Sequence, residues 1–135
     1  TTNGTNTSWE TVSAGAQFKV GSFSRDISTV SGTQAVTGTG FTPVAVIFFC
    51  AQSSATGKMS VGFDDNTANL VITDSHNVSA NQWIADNSYS IFVYESSANW
   101  YGGSVNSFDA SGFTITWTKN GSPTGTISVY YLAMR

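Results

Sequence analysis

Apolar residues alternate with hydroxyl and amide residues along much of the chain, and this period of two is typical of β-strands with one face on a core. The clearest segment is 113–118, in which Phe, Ile and Trp alternate with Thr without interruption. Shorter segments of the same kind occur at 17–23, 33–37, 58–63, 69–73 and 89–94. Because no window shows sustained helical periodicity, the pattern predicts an all-β chain of roughly eight to ten short strands.

A continuous apolar run, VAVIFFCA, follows Pro43 at 44–51. Such a run is typical of a strand that is covered on both faces, so we expect a central strand here. Cys50 lies within it, and since it is the only cysteine of the sequence, no intrachain disulfide can form. The apolar surroundings predict a buried, unreactive thiol.

The C-terminal third combines two strand patterns with a turn signal. Segment 113–118 is followed by Asn-Gly-Ser-Pro at 120–123, and segment 126–133 then places Ile127, Val129 and Tyr131 on one face. A short Asn-Gly connection between alternating segments is typical of a β-hairpin. The sequence therefore predicts that these two strands pair with each other.

The number and spacing of the strands predict a single-domain, antiparallel β-sandwich of the jelly-roll kind over residues 17–135, with a closed barrel as the alternative. Residues 1–16 are small and polar apart from Trp9 and Val12. We interpret this segment as an extended N-terminal arm that becomes ordered against a neighbouring copy.

The charge of the chain excludes some kinds of partner. Charged residues make up 10% of the sequence, against roughly 25% in an average soluble protein, and the net charge is −3. The five basic residues are scattered, whereas a nucleic-acid-binding surface needs clustered Lys and Arg. The apolar runs are far shorter than the ~20 residues that span a bilayer, so membrane insertion is not expected.

Candidate catalytic and metal-binding residues are sparse. His76 follows Asp74 in what reads as a polar loop, but no Gly-x-Ser-x-Gly motif supplies a nucleophile, so we expect a protein without catalytic activity. Asp64 and Asp65 are weak candidates for a calcium site, since Ca²⁺ takes oxygen ligands. An acidic turn capped by its own side chains is the simpler interpretation, and no cofactor is expected.

Aromatic residues beside glycines offer a candidate contact surface. Asn99, Trp100 and Tyr101 precede Gly102-Gly103 in what reads as a polar loop. Trp and Tyr rings can stack on a sugar or a protein partner while their polar edges stay in water, and Asn99 could supply a hydrogen bond. The alternative is that one ring packs into the core. Trp83 and Trp9 raise the same question.

Three stretches in order, VTGTGFTPVAVIFF at 36–49, SFDASGFTITW at 107–117 and VYYLA at 129–133, resemble a group of small tailed-bacteriophage structural proteins. In that group a V-T-G-x-G-F-x-P-K-A entry, an S-F-D-x-x-G-F-T-L-x-W strand and a terminal Y-L-A-L strand recur. The resemblance covers residues 33–133 and departs from the pattern at Val44, where the group has Lys, and after Ala133.

The resemblance implies a fold and a virion setting, not an active site. It implies a capsid decoration (cement) protein on the virion surface, whose partners are copies of itself and other virion proteins, the major capsid protein among them. The layout of the strands is also similar to the sugar-binding sandwiches of H-type lectins. The alternative is therefore a carbohydrate-binding module of a tail fibre or host-recognition spike, with a host surface glycan as partner.

Overall fold

The computed structural model describes residues 15–52, 57–77 and 80–135, and within these ranges the chain forms ten strands and no helix. For residues 76–77 and 80–83 the backbone alone is described. The strands are β1 (Phe18–Asp26), β2 (Gly32–Thr37), β3 (Ala45–Gln52), β4 (Lys58–Asp64), β5 (Asn69–Asn77), β6 (Ala80–Asp86), β7 (Ile91–Ser96), β8 (Asn99–Asp109), β9 (Gly112–Asn120) and β10 (Thr126–Met134).

The strands form two antiparallel sheets that pack face to face. One sheet has six strands in the order β1-β10-β3-β4-β5-β6, and the other has four in the order β2-β9-β8-β7. The predicted jelly-roll-like antiparallel β-sandwich is confirmed. The last strand, β10, lies between the edge strand β1 and β3, so the larger sheet brings the first and last described strands side by side. Most of the predicted arm, residues 1–14, lies outside the described residues.

Aromatic rings from both sheets fill the core. Phe48 and Tyr131 of the six-stranded sheet meet Phe113 of the four-stranded sheet edge to face, with ring centroids 5.6 and 5.1 Å apart. Tyr101 and Trp117 pack beside each other at 5.4 Å. Edge-to-face pairs contribute roughly 0.5–1.5 kcal/mol beyond the burial of their area, so these rings hold the two sheets together.

The predicted pairing of the last two strands is wrong. β9 pairs with β2 and β8 in one sheet, whereas β10 pairs with β1 and β3 in the other. The connection after Asn120 crosses from sheet to sheet, with Gly121 and Gly125 at positive φ of 67° and 101°. Both strands send their apolar residues into the same core from opposite sides, which gives the same alternation as a hairpin.

Two strands escaped prediction, β6 and β8. Residues 99–103, interpreted above as a polar loop, are the start of β8. Gly102 and Gly103 serve close packing here, not a turn. A Cβ on Gly102 would lie 2.6 Å from the Tyr89 ring, and one on Gly103 would meet the Trp117 ring. Glycine inside a strand often marks such an approach.

The edge strand β7 rests on the inner face of β4 and β5 through hydrogen bonds. The Ser60 hydroxyl accepts from the Phe92 N–H at 3.2 Å, and the Ser75 hydroxyl donates to the Tyr94 carbonyl at 2.8 Å. The single proton of the Thr73 hydroxyl is shared between the Met59 carbonyl at 3.0 Å and the Phe92 carbonyl at 3.2 Å. Buried backbone groups need partners, and these hydroxyls satisfy the free side of β7.

Candidate binding surfaces

The outward side of the six-stranded sheet is apolar. We call it the apolar outer face. Nine large side chains define it, each between 38% and 69% exposed: Phe18, Val20, Phe49, Met59, Val61, Phe63, Leu70, Ile72 and Tyr130. Isolated exposed apolar residues are ordinary on a protein surface, but a contiguous set of this size marks an interaction site.

The strand register makes these side chains contiguous. Directly paired residues share a face of the sheet, so Tyr130, Phe49, Val61 and Ile72 form one row across β10, β3, β4 and β5. A second row runs beside it through Val20, Leu132, Ile47, Phe63 and Leu70. The face is therefore a continuous apolar sheet surface rather than a scatter of residues.

The alternation of β4 and β5 is inverted relative to an ordinary sandwich strand. Ser60 and Asp64 of β4 and Thr73 of β5 are buried, while Val61 and Ile72 point outward. In an antiparallel sheet with one wet face the apolar residues normally face the core. Here the polar residues are needed inside, because they bond the backbone of the other sheet. The apolar residues are consequently left on the outside.

In the single chain the central run at 44–51 is covered on one face. The prediction that it is covered on both faces is therefore wrong for the single chain. Val46, Phe48 and Cys50 are buried in the core. Phe49 is 52% exposed on the other side. The strand is central, third of six in its sheet, but its second apolar face lies on the surface.

Two shallow hollows of about 210 and 230 Å³ lie on the apolar outer face, lined by side chains of β3, β4 and β5. Val61 and Ile72 line both of them. Within the described part of this face the charged residues are Asp26, at the end of β1, and Asp74, opposite Met59 in β4. Both lie toward the same end of the sheet, so its middle is uncharged.

The outward side of the four-stranded sheet is different. Thr114, Thr116 and Thr118 alternate outward along β9, half-buried. Beside them stands an aromatic cluster of Tyr89, Phe92 and Trp100, whose ring centroids are 5.4 to 5.6 Å apart. This side thus carries hydroxyls and one compact group of rings.

The candidate sugar-contact residues separate in the structure. Tyr101 is fully buried, so the prediction that it contacts a partner at the surface is wrong. Its hydroxyl accepts a hydrogen bond from the Arg25 Nε–H at 2.9 Å. Its side chain points inward because neighbours on a strand alternate faces. Trp100 is half-buried in the aromatic cluster. The Asn99 amide oxygen accepts from the Ser122 N–H at 2.7 Å, which ties it to the loop after β9.

The other two candidate tryptophans are not placed by the structure. Trp9 lies outside the described residues. The backbone of Trp83 lies in β6 opposite Asp74, while its side chain is outside the description. Their partner contacts stay predictions.

The acidic pair at the end of β4 has structural contacts. Asp64 is 1% exposed, and its two oxygens accept from the Asn66 and Val105 N–H groups, each at 2.8 Å. Asp65 accepts from the Thr67 and Ala68 N–H groups, and these bonds, Ala68 first, lower the pKa of its carboxyl. Both carboxylates therefore cap the turn. Among the described residues no three acidic, His or Cys side chains gather as a metal site would require.

The two remaining reactive groups lie in strands. His76 belongs to the backbone of β5, opposite Asn81, so the interpretation of this segment as a loop is wrong. Cys50 is 3% exposed, and burial raises the pKa of its thiol to about 12. The prediction of a buried Cys50 is confirmed. Across the described ranges no helix is long and apolar enough to cross a membrane.

Comparison with known proteins gives no assignment. No family model matches the chain, no curated protein matches it, and no solved structure matches it. The candidate surfaces are therefore defined by their own geometry.

Sequence reasoning missed the apolar outer face, although its signal was present. Alternation in the sequence places the apolar residues 59, 61 and 63 on one side of a strand, and 70 and 72 on one side of another. A period of two shows that one side of a strand is apolar but not which side faces the core. The signal was the set of serines and threonines on the opposite side of these strands, Ser60, Thr73 and Ser75. Their hydroxyls bond backbone groups of β7 in the core, so the apolar side faces outward.

Proposed function

We propose that this chain is a non-enzymatic structural protein of a tailed-bacteriophage particle, a capsid decoration protein that stabilises the shell through contacts between oligomers on its surface. The apolar outer face carries the proposal. A protein that works by adhesion needs a broad, uncharged contact surface, and this face supplies one. The sequence resemblance to small virion proteins supplies the virion setting.

The size of the face supports a lasting contact. At about half exposure, and with roughly 150–200 Å² for each large side chain when fully exposed, the nine residues leave roughly 800 Å² in water. One partner in a standard-size protein interface contributes about 800 Å². Low charge favours close packing of many copies, because like charges on neighbouring molecules repel.

The location of the chain in an intact particle tests the proposal. Antibodies against the chain, viewed by immunogold electron microscopy of purified particles, are expected to label heads at many regular positions. Shells lacking the chain should regain heat resistance when it is added, and Val61→Lys should prevent this by placing a charge in the face. Particles that carry no label would contradict the proposal.

A second function rests on the aromatic cluster. Trp100 and Tyr89 stand half-exposed beside outward threonines on the four-stranded sheet, a combination of ring and hydroxyl groups that suits a sugar. In this alternative the chain is a carbohydrate-binding module of a tail fibre or spike. Label confined to tails, together with glycan-array binding that Trp100→Ala abolishes in a folded protein, would favour it over decoration.

A further inference from the structure

We propose that the partner of the apolar outer face is a second copy of this chain, so that two sandwiches stack face to face into a four-layered dimer. The inference rests on the proposed role of this face as the adhesive surface and adds its occupant. Apolar sheets bury their faces by stacking about 10 Å apart with their strands nearly aligned. A copy of the same six-stranded sheet has the width and chemistry to do this.

The charges at the margin of the face favour a two-fold, antiparallel arrangement. Asp26 and Asp74 lie toward one end of the sheet, while Arg135 follows β10 at the opposite end and pairs with Gln17 through its backbone. A two-fold axis across the strands places the end of one copy that carries Asp26 and Asp74 over the end of the other that carries Arg135. Asp26 and Asp74 of one copy are thereby kept away from the same two residues of the other, and the uncharged middle rows meet, while Asp65 in the turn after β4 shares the end that carries Arg135.

The chain's own N-terminal segment is a poorer occupant. Residues 1–14 contain Trp9 and Val12 as their large apolar side chains, and the rest are small or polar. Two such side chains cannot cover nine. A partner with a charged surface is also disfavoured, because the middle of the face offers no charge to pair with it.

The mass of the 135-residue chain in solution tests the inference. Sedimentation velocity or light scattering should give twice the chain mass of 14.3 kDa over a wide range of concentration. Val61→Lys, at the centre of the face, should shift the mass to that of one chain. Tyr130 is 59% exposed and thus less tied to the fold than Val61 at 38%, so Tyr130→Lys should do the same if Val61→Lys fails to fold.

The matched control is Thr116→Lys, which introduces the same charge on a central strand of the other sheet and should leave the dimer intact. A single-chain mass at all concentrations would overturn the inference, as would a dimer that survives both lysine substitutions. Loss of the dimer on deleting residues 1–12, with both lysine variants still dimeric, would assign the contact to the arm. Flotation of a single-chain species with phosphatidylcholine vesicles would assign the face to lipid.

The dimer and the virion role fail separately. A single-chain species that still labels phage heads would refute the dimer and leave the decoration role standing. A dimeric chain that antibodies never detect on particles would refute the decoration role and leave the dimer standing.

Discussion

Asp64 carries its carboxylate into the space between the sheets, where two backbone N–H groups bind it. Asn66 belongs to the turn after β4, but Val105 belongs to β8 in the other sheet, next to an irregularity in the pairing of β8 with β9. The side chain therefore caps a local turn and joins the two layers at once. A carboxylate can do this because each of its oxygens is an acceptor.

We expect Asp64→Asn to lower the free energy of unfolding by about 1–3 kcal/mol, because the amide keeps one acceptor and leaves one buried N–H without a partner. Urea denaturation at fixed protein concentration measures the change. Asp65→Asn is the control. One oxygen of Asp65 accepts both of its hydrogen bonds, so the amide can keep them, and its loss should be smaller. Equal losses in the two variants would contradict the role assigned to Asp64.

At the scale of the elements, β7 depends on close approach to β4. Gly62 makes this possible, because a Cβ at this position would collide with the carbonyl oxygen of Ser90 just before β7 and lie 2.9 Å from that of Leu70. Both obstacles are backbone and cannot rotate away. Ser60, two residues earlier on the same face, supplies the hydrogen bond that the approach permits.

Gly62→Ala should therefore separate β7 from β4 and destabilise the protein by about 1–3 kcal/mol, as other overpacking substitutions do. Amide hydrogen exchange should report faster exchange at Phe92, whose N–H bonds Ser60. Gly15→Ala, where a Cβ meets nothing within 4 Å, is the control and should leave both quantities nearly unchanged. Unaltered exchange at Phe92 in the Gly62 variant would show that β7 does not need this contact.

Strand existence was largely predictable from the sequence, but strand pairing was not. Segments such as 58–63 and 113–118 were found because alternation is a local property of a strand. Pairing depends on which sheet a strand joins, and residues 113–118 and 126–133 alternate identically whether they form a hairpin or face each other across a core. β8 was missed because Gly102 and Gly103 signal a turn by composition, while their actual role depends on rings distant in sequence.

The candidate surfaces were predictable only in part for the same reason. Trp100 could be singled out by residue type, but the burial of Tyr101 follows from strand alternation that its loop-like composition hid. The apolar outer face depends on the phase of β4 and β5 relative to the core. That phase is set by hydrogen bonds that join the Ser60 and Ser75 hydroxyls to backbone groups of β7, which lie 32 and 19 residues away along the chain respectively.

At the scale of the whole molecule, Cys50 reports on global unfolding. It lies in β3 between two paired strands, β10 and β4, so local fraying does not expose it. We expect a thiol reagent to label Cys50 at the rate of global opening at neutral pH and at once in denaturant. Rapid labelling of the native protein would contradict the placement of β3 at the centre of the sheet.

Burial of the same thiol makes a contribution to the free energy of unfolding that depends on pH. Its pKa is about 12 in the folded protein against an ordinary 9.0, so the folded state holds the proton more tightly. This contribution is complete below pH 9 and is lost as the pH rises from 9 toward 12. Wild-type stability should fall more steeply over that window than the stability of Cys50→Ala, and equal slopes would contradict the assignment. Tyr131, whose pKa burial also raises, adds to the slope in both proteins.

The position of β10 also bears on how the chain is made. β1 and β3 are joined in the larger sheet only through β10, which is synthesised after the other nine described strands. Until then the edges of β1 and β3 that pair with β10 have no partner, and the apolar rows of the larger sheet are exposed at the same time. The nascent chain is most prone to wrong association in this state. Closure of the larger sheet therefore waits until residues 126–134 have been synthesised, and chaperones that shield a growing chain are most important in that interval.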